Sequence, residues 1–572
     1  MRSGIRRPVW RRVVVVIWMT LAVFRSIARS QDRPPVILPT PATPSTTAPP
    51  PLPQAGPITV EQLAERLRAM EDTNRKLADE LERSKREHDA QIREILERFG
   101  DQTDGRTTRP GLGGDALEDA TVPTGDPPTA DVSPVPDYTE GQFAPFTPAP
   151  GFAPPTGRPG SSSGRLPLLG SFGPGFQFQT ENREFQLQIH YESQIEGRVW
   201  GRSDQDPNNS GIFLPRQRIF FSGHLTRQVE YELAINRGSG GTVNVLNAFI
   251  NLHLDDRFQV RFGRFFTPLP YDQYAISNYW LPTPERSLFT TNLSLNRQFG
   301  LMGWGYLFDK QVDYAAGIFN GSRNSFESLA NGVDFVGYLN ARPFQQTDAL
   351  PFARFLNVGT SVAVGHQDQQ AVPMSFRLGG GSPNGDIPGA GTTPFLILNR
   401  DVVERGQRVL GSTHAAYFYK SLSLIGEWQY GYGGYASAAN PSSTRVPFSG
   451  FYLTGAYFLT GEQIEQRARV RPLRPFIPLE SGGIRGPGAW EAVARVSRLS
   501  LGREIFNAGF ADPNLWSNSA VTTELGANWY WNEYIKIYMF WLHGQFGDPV
   551  QYRAGHLQES ADMFWLRFQL YF

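Results

Sequence analysis

The chain has 572 residues, is 40% hydrophobic and 13% aromatic, carries a formal net charge of +0 and contains no cysteine. Neutrality excludes bulk attraction to nucleic acid, the missing cysteines exclude disulfide and thiol chemistry, and the negative mean hydropathy excludes a bundle of transmembrane helices. Of 54 basic residues only Lys76, Lys85, Lys310, Lys420 and Lys536 are lysine, so its cation chemistry is largely guanidinium chemistry.

The first element is a leader. Arg2, Arg6, Arg7, Arg11 and Arg12 precede the apolar run "VVVVIWMTLAVF" at 13–24, and "ARSQ" then offers a small-residue cleavage site. The run is too short to span a bilayer as a helix, so 1–30 reads as a secretory signal peptide. Residues 31–57 are Pro, Thr and Ala and read as an extended spacer. In 58–99, Val60, Leu63, Leu67, Met70, Leu77, Leu81 and Ile95 fit heptad core positions, with Asn74 as a polar register-setting residue. This predicts a short coiled-coil helix and hence an oligomer. Residues 100–173 return to Gly, Pro, Thr and Asp and read as a disordered linker.

From 174 to 572 the period changes to two. "EFQLQIHYESQIEGRVW" sets Phe185, Leu187 and Ile189 against Gln186, Gln188 and His190. "RQRIFFSGHL" sets Arg216, Arg218 and Ser222 against Gln217, Ile219 and Phe221. Alternation alone fits a sandwich or a membrane barrel. Segments of about ten residues, joined alternately by tight turns ("LTRQ", "LDDR", "FDKQ", "YKSL", "WYWNEY") and long Gly/Pro/Asn/Ser-rich loops, select the barrel. The segments predict an all-β, antiparallel, sixteen-stranded transmembrane barrel. The stretch 461–488 is too long for a turn; it is either an excursion on the short-turn side or a further hairpin, which makes eighteen. The final "MFWLRFQLYF" should turn Phe564, Leu566, Phe568, Leu570 and Phe572 to lipid and Arg567 and Gln569 to the lumen, pairing with the first strand near 185–200.

Seven pieces carry a family likeness: "RFGRFFTPLPY" (261–271), "PERSL" (284–288), "RQFGLMGWGYLFDKQVDYAAGIFNG" (297–321), "YFLTGE" (457–462), "RPLRPF" (471–476), "GAWEAVARVSRL" (488–499) and "GANWYWNEYIKI" (526–537). In this order they resemble the phosphate-selective porin O and P family. The resemblance implies a trimeric sixteen-stranded porin whose third long loop, here 267–296, folds into the lumen. It also implies that Phe568, Leu570 and Phe572 form the signal read by the barrel assembly machinery. Phosphate-specific members carry a lysine-rich constriction; here no lysine lies between Lys85 and Lys310.

A pore needs inward charge and a narrowing rather than a reaction centre. Parity places Arg216, Arg218, Arg261, Arg495 and Arg567 inward, with Glu427 and Glu491; Arg286 lies on the inferred loop and Arg297 at its end. The arginines are candidates for attracting anions, because a guanidinium fork matches phosphate and carboxylate. The alternative for each is pairing with an inward acid, as Glu491 and Arg495 at spacing four suggest. "RARVRPLR" reads as a solvated segment. From Glu181 onward there are 33 basic and 33 acidic residues, so selectivity rests on placement. No phosphate loop, HExxH or nucleophile elbow occurs, and "DQDPNNSG" (204–211) lacks the glycine and closing glutamate of a calcium loop. No enzyme, metal or cofactor is expected. The expectation is a bacterial outer-membrane porin passing small hydrophilic solutes by diffusion with a preference for anions, phosphate-type anions among them. Its arm 58–99 lies in the periplasm, in reach of the cell wall. The competing expectation is an envelope-tethering protein with a closed barrel.

Overall fold

The computed structural model describes residues 167–572, apart from 174, 202–207, 209, 238–242, 325–331, 348, 380–392 and 480–482. The expected signal peptide, spacer, coiled coil and most of the linker lie outside the described residues, as does most of 204–211. A short hairpin comes first: β1 (Leu168–Gly173) and β2 (Gly175–Thr180), the former falling at the end of the expected linker. Nine long strands follow: β3 (Gln186–Trp200), β4 (Gly211–Thr226), β5 (Val229–Arg237), β6 (Val243–Asp255), β7 (Phe258–Phe266), β8 (Arg297–Leu307), β9 (Val312–Phe319), β10 (Asp334–Ala341) and β11 (Phe355–Gln370). After a small hairpin, β12 (Ser375–Arg377) with β13 (Pro394–Ile397), come β14 (Val403–Tyr419), β15 (Leu422–Ala436), β16 (Thr444–Phe458), β17 (Ala489–Leu501), β18 (Ser519–Tyr530), β19 (Ile535–Arg553) and β20 (His556–Tyr571).

β3–β11 and β14–β20 form the sixteen-stranded wall, each strand antiparallel to its neighbours. The wall closes between its last and first strands, from Met563↔Trp200 to Tyr571↔Glu192. Closure leaves no ladder group of the seam unpaired in lipid, where each such group costs several kcal/mol. Period-two patterning supplies the faces. On β20, Phe564 and Leu566 are more than half exposed, while Arg567 and Gln569 are buried on the inner side. The five predicted tight turns all fall between paired strands. The β14–β15 turn carries Lys420 at φ 52, the left-handed backbone that two-residue hairpins require.

Below the seam, β3 continues past the end of β20. There β2 takes over its edge, from Phe176↔Ile189 to Gln179↔Gln186. The Phe572 ring lies 5.9 Å from each of Phe172, Phe176 and Tyr191, and the Tyr534 hydroxyl donates to the Gly173 carbonyl at 2.7 Å.

The stretch 461–488 adds no strand among its described residues, so sixteen is the number and eighteen is excluded. It is an excursion at the short-turn end that folds back on the barrel. Ile464 N–H donates to the Lys420 carbonyl at 2.8 Å and Phe476 N–H to the Trp531 carbonyl at 2.7 Å. Arg467 is buried in an ion pair with Glu491 at 2.5 Å. The solvated reading of "RARVRPLR" is therefore corrected for Arg467 and holds for Arg471, whose side chain is half exposed.

Candidate functional site: the loop across the lumen

The connection from β7 to β8 is the site's main body. Its neck is closed by Thr267, whose N–H and hydroxyl both donate to the Asn296 carbonyl at 3.0 Å. Inside it run two short helices, α1 (Tyr271–Tyr274) and α2 (Leu288–Leu293), the second capped by the Ser287 side chain. Leu269, Tyr271, Tyr274, Ile276, Leu281, Leu288, Phe289, Leu293 and Leu295 are all buried, which explains why a loop between two strands leaves the surface for the interior.

Polar contacts spread the loop across the far wall. At its start, the N–H groups of Tyr271 and Asp272 donate to the two carboxylate oxygens of Glu427 on β15, at 2.8 and 3.2 Å. The Tyr271 ring stacks on His414 of β14 at 4.1 Å. Further along, the Leu281 carbonyl accepts from Lys536 of β19 at 2.7 Å, and the Pro282 carbonyl accepts from Asn528 of β18 at 2.8 Å. The Thr283 hydroxyl accepts from Arg495 of β17 at 2.7 Å. Glu285 then meets Arg216 of β4 at 2.7 and 2.9 Å and Arg567 of β20 at 2.7 Å. Arg567 also reaches Glu196 of β3 at 2.5 Å. One loop carboxylate thus ties together both sides of the seam. Burial alone would raise the Glu285 carboxyl, but Arg216 and Arg567 outweigh it and hold it lowered to about 2.

The expected site residues separate into two groups. Arg216, Arg567, Arg286, Arg495, Glu427 and Glu491 gather where the loop touches the wall. Arg286 lies 3.7 Å from Asp272 and donates to the Ile276 carbonyl at 2.9 Å, bracing the loop internally. The Glu491–Arg495 pairing is corrected: Arg495 pairs with Glu524 at 2.5 Å on the next strand, and Glu491 with Arg467. Cross-strand neighbours on one face lie about 5 Å apart, closer than positions four apart along an extended strand, about 13 Å. The second group is Arg218, on β4, and Arg261 and Arg297, on β7 and β8, the two strands that the loop joins. Arg218 reaches Glu192 at 3.0 Å. The Arg261 guanidinium lies 4.4 Å from the centroid of the Phe249 ring and 5.0 Å from that of Trp304. Arg297 lies 3.6 Å over Phe266 and donates to Asn247 at 2.6 Å. Such rings hold a guanidinium by its face and leave its charge in place.

Sequence reading missed Glu285, Lys536, Glu524 and Asp272. A signal existed for Glu524, which parity places inward as it does Glu491. For Glu285 parity is silent, because it does not extend into a loop; the only signal is its place in "PERSL" on the infolding loop, beside Arg286.

A closed sixteen-stranded wall with polar inward residues and a loop drawn across its lumen is a channel architecture. The family model described as "Phosphate-selective porin O and P" matches residues 185–572. This chain belongs to that family. It is an outer-membrane porin, and the match spans the whole sixteen-stranded wall, with the β1–β2 hairpin lying before it. Among solved structures, the porin's fold is similar to an anion-selective porin from Comamonas acidovorans: 11% identity, 68% of this chain and 100% of that chain, TM-score 0.40. It is also similar to the outer-membrane channel DcaP of Acinetobacter baumannii, at 7% identity, 69% and 99% coverage and a TM-score of 0.42. A third is the trimer form of OmpT from Vibrio cholerae, at 12% identity, 68% and 99% coverage and a TM-score of 0.40. No curated protein matches the sequence.

Proposed function

We propose that this porin passes small hydrophilic solutes by passive diffusion with a preference for anions, phosphate-type anions within that class. The observation that carries the reading is the loop 267–296, tied across the interior to β4, β15 and β17–β20, beside Arg261 and Arg297 on the β7–β8 wall. The loop is the narrowing and the guanidiniums give it sign. Planar, permanently charged groups attract phosphate and carboxylate without titrating, and several weak contacts along a path let the ion leave again. The absence of lysine from the loop argues for a general anion path over tight phosphate capture.

The same reading takes the porin to be a trimer, with 58–99 as a periplasmic coiled coil that joins the copies and reaches the cell wall. Phe568, Leu570 and Phe572 serve as the segment the barrel assembly machinery reads. Planar-bilayer recording under a salt gradient tests the transport reading. The expected result is discrete conductance with a reversal potential on the anion side. A cation-side potential overturns the preference, and no conductance at all favours the closed, tethering barrel.

A further inference from the structure

β15 carries an outward aromatic ladder. Trp428 is 58% exposed, Tyr430 follows with ring centroids 4.9 Å away, and Tyr432 comes next on the same face. At the short-turn end, Tyr457 of β16 sits opposite Leu422 and also faces out. From Leu422 to Tyr432 is ten residues along the strand. At about 3.3 Å per residue and a tilt of about 40°, that is about 25 Å of height, the apolar band of an outer-membrane barrel. Tyr432 therefore stands at the upper edge of the hydrocarbon, on the long-loop side, which such barrels turn to the cell exterior.

Immediately above this edge are two outward arginines. Arg445 on β16 is opposite Gly434, and its guanidinium lies 4.3 Å over the Tyr432 ring. Tyr432 is itself fixed by donating to Gln407 at 2.6 Å. No carboxylate among the described residues pairs with Arg445. Arg405, on the other side of β15, uses its Nε toward Asp368 at 3.3 Å and one Nη toward the Pro441 carbonyl at 3.5 Å. Both members of that pair are about half exposed. The Ser443 hydroxyl holds the Arg405 carbonyl, and Asn440 ties the loop to Thr444 at 3.1 Å. A side chain at 434 would meet the Arg405 carbonyl at 2.2 Å, so glycine there lets β14 lean in. The two arginines stand two strand spacings apart, about 10 Å, on a braced surface.

We infer that Arg405 and Arg445, above the Trp428–Tyr430–Tyr432 ladder, form a binding site for the phosphorylated headgroup of an outer-leaflet glycolipid, whose acyl chains lie along the ladder. The chemistry fits in both parts. Guanidinium pairs grip phosphate at headgroup depth, and the aromatic ladder and the neighbouring Phe451 and Leu453 give the acyl chains an apolar wall. The pair sits on the outer wall, apart from the lumen arginines, so the site is independent of transport.

The test uses the full chain in detergent, with binding of bisphosphorylated lipid A followed by native mass spectrometry. Arg405→Ala/Arg445→Ala should weaken retention about tenfold, while single-channel conductance and the heat-unfolding transition stay as in the parent. Arg405→Lys/Arg445→Lys should recover part of the loss. Dephosphorylated lipid A should bind the parent as weakly as lipid A binds the alanine pair. Equal retention by parent and alanine pair overturns the site. So does phosphatidylglycerol binding the parent as tightly as lipid A, because that reports general attraction of anionic lipid.

Discussion

At the residue scale, Glu285 is the most exposed to test. It is the one loop carboxylate shared by Arg216 and Arg567, so Glu285→Ala leaves two buried guanidiniums facing each other. Removing one partner of a buried ion pair costs about 3–5 kcal/mol, and the variant should lose its heat-resistant folded band at a lower temperature. Its single-channel trace should also become noisier as the loop loosens. The pH dependence has a defined sign. The carboxyl is lowered from 4.5 to about 2 in the folded barrel, so its contribution is fully present above 4.5 and is lost as pH falls toward 2. Wild-type stability should drop through that window, and Glu285→Gln should flatten that part of the profile. Arg261 and Arg297 make a separate prediction. Replacing both by Gln should move the reversal potential toward zero by removing two inward charges near the neck; an unchanged potential would exclude them as its source.

At the element scale, the strands were legible because lipid on one side and a polar lumen on the other impose a two-residue period. Leu566 points into lipid and is more than half exposed. Leu566→Arg should cost about 2–4 kcal/mol near the bilayer middle, read as a lower urea midpoint for the barrel folded into vesicles; Gln569→Arg, on the inner face, should cost less. Strand ends at the long-loop side were read short. Against segments of about ten residues marked by alternation, β14 runs Val403–Tyr419 and β16 runs Thr444–Phe458. Beyond the apolar band both faces meet water, so Arg405, Gln407 and Arg445 carry no alternation although their ladder hydrogen bonds continue. The β1–β2 hairpin was missed for a related reason: Gly and Pro between its strands resemble linker composition.

At the scale of the whole molecule, closure between β3 and β20 is the decisive event, since it joins the two ends of a 388-residue match. The chain contains no cysteine, so Ser193→Cys/Leu570→Cys, directly opposite at the seam, gives a clean probe. The pair should oxidise to a disulfide only in the closed barrel, and the cross-linked chain should migrate differently from the reduced one after boiling. Failure to cross-link would place the seam elsewhere.

The amino-acid order by itself determined strand faces, turn positions and which loop enters the lumen, the last through family resemblance; it left sixteen or eighteen strands open, and the structure decided for sixteen. Faces and turns are local properties: a period of two, a tight turn and an aromatic edge can each be read within a dozen residues. Only the tertiary structure decided the partners. Parity says that Arg495 and Glu491 face inward; sheet register gives the first to Glu524 and leaves the second to Arg467 from a returning segment. Glu285 acquires Arg216 and Arg567 because closure brings β4 and β20 to one place, 351 positions apart in sequence. Ion pairs form over a few ångströms of space, and sequence distance carries no record of them until the sheet has closed.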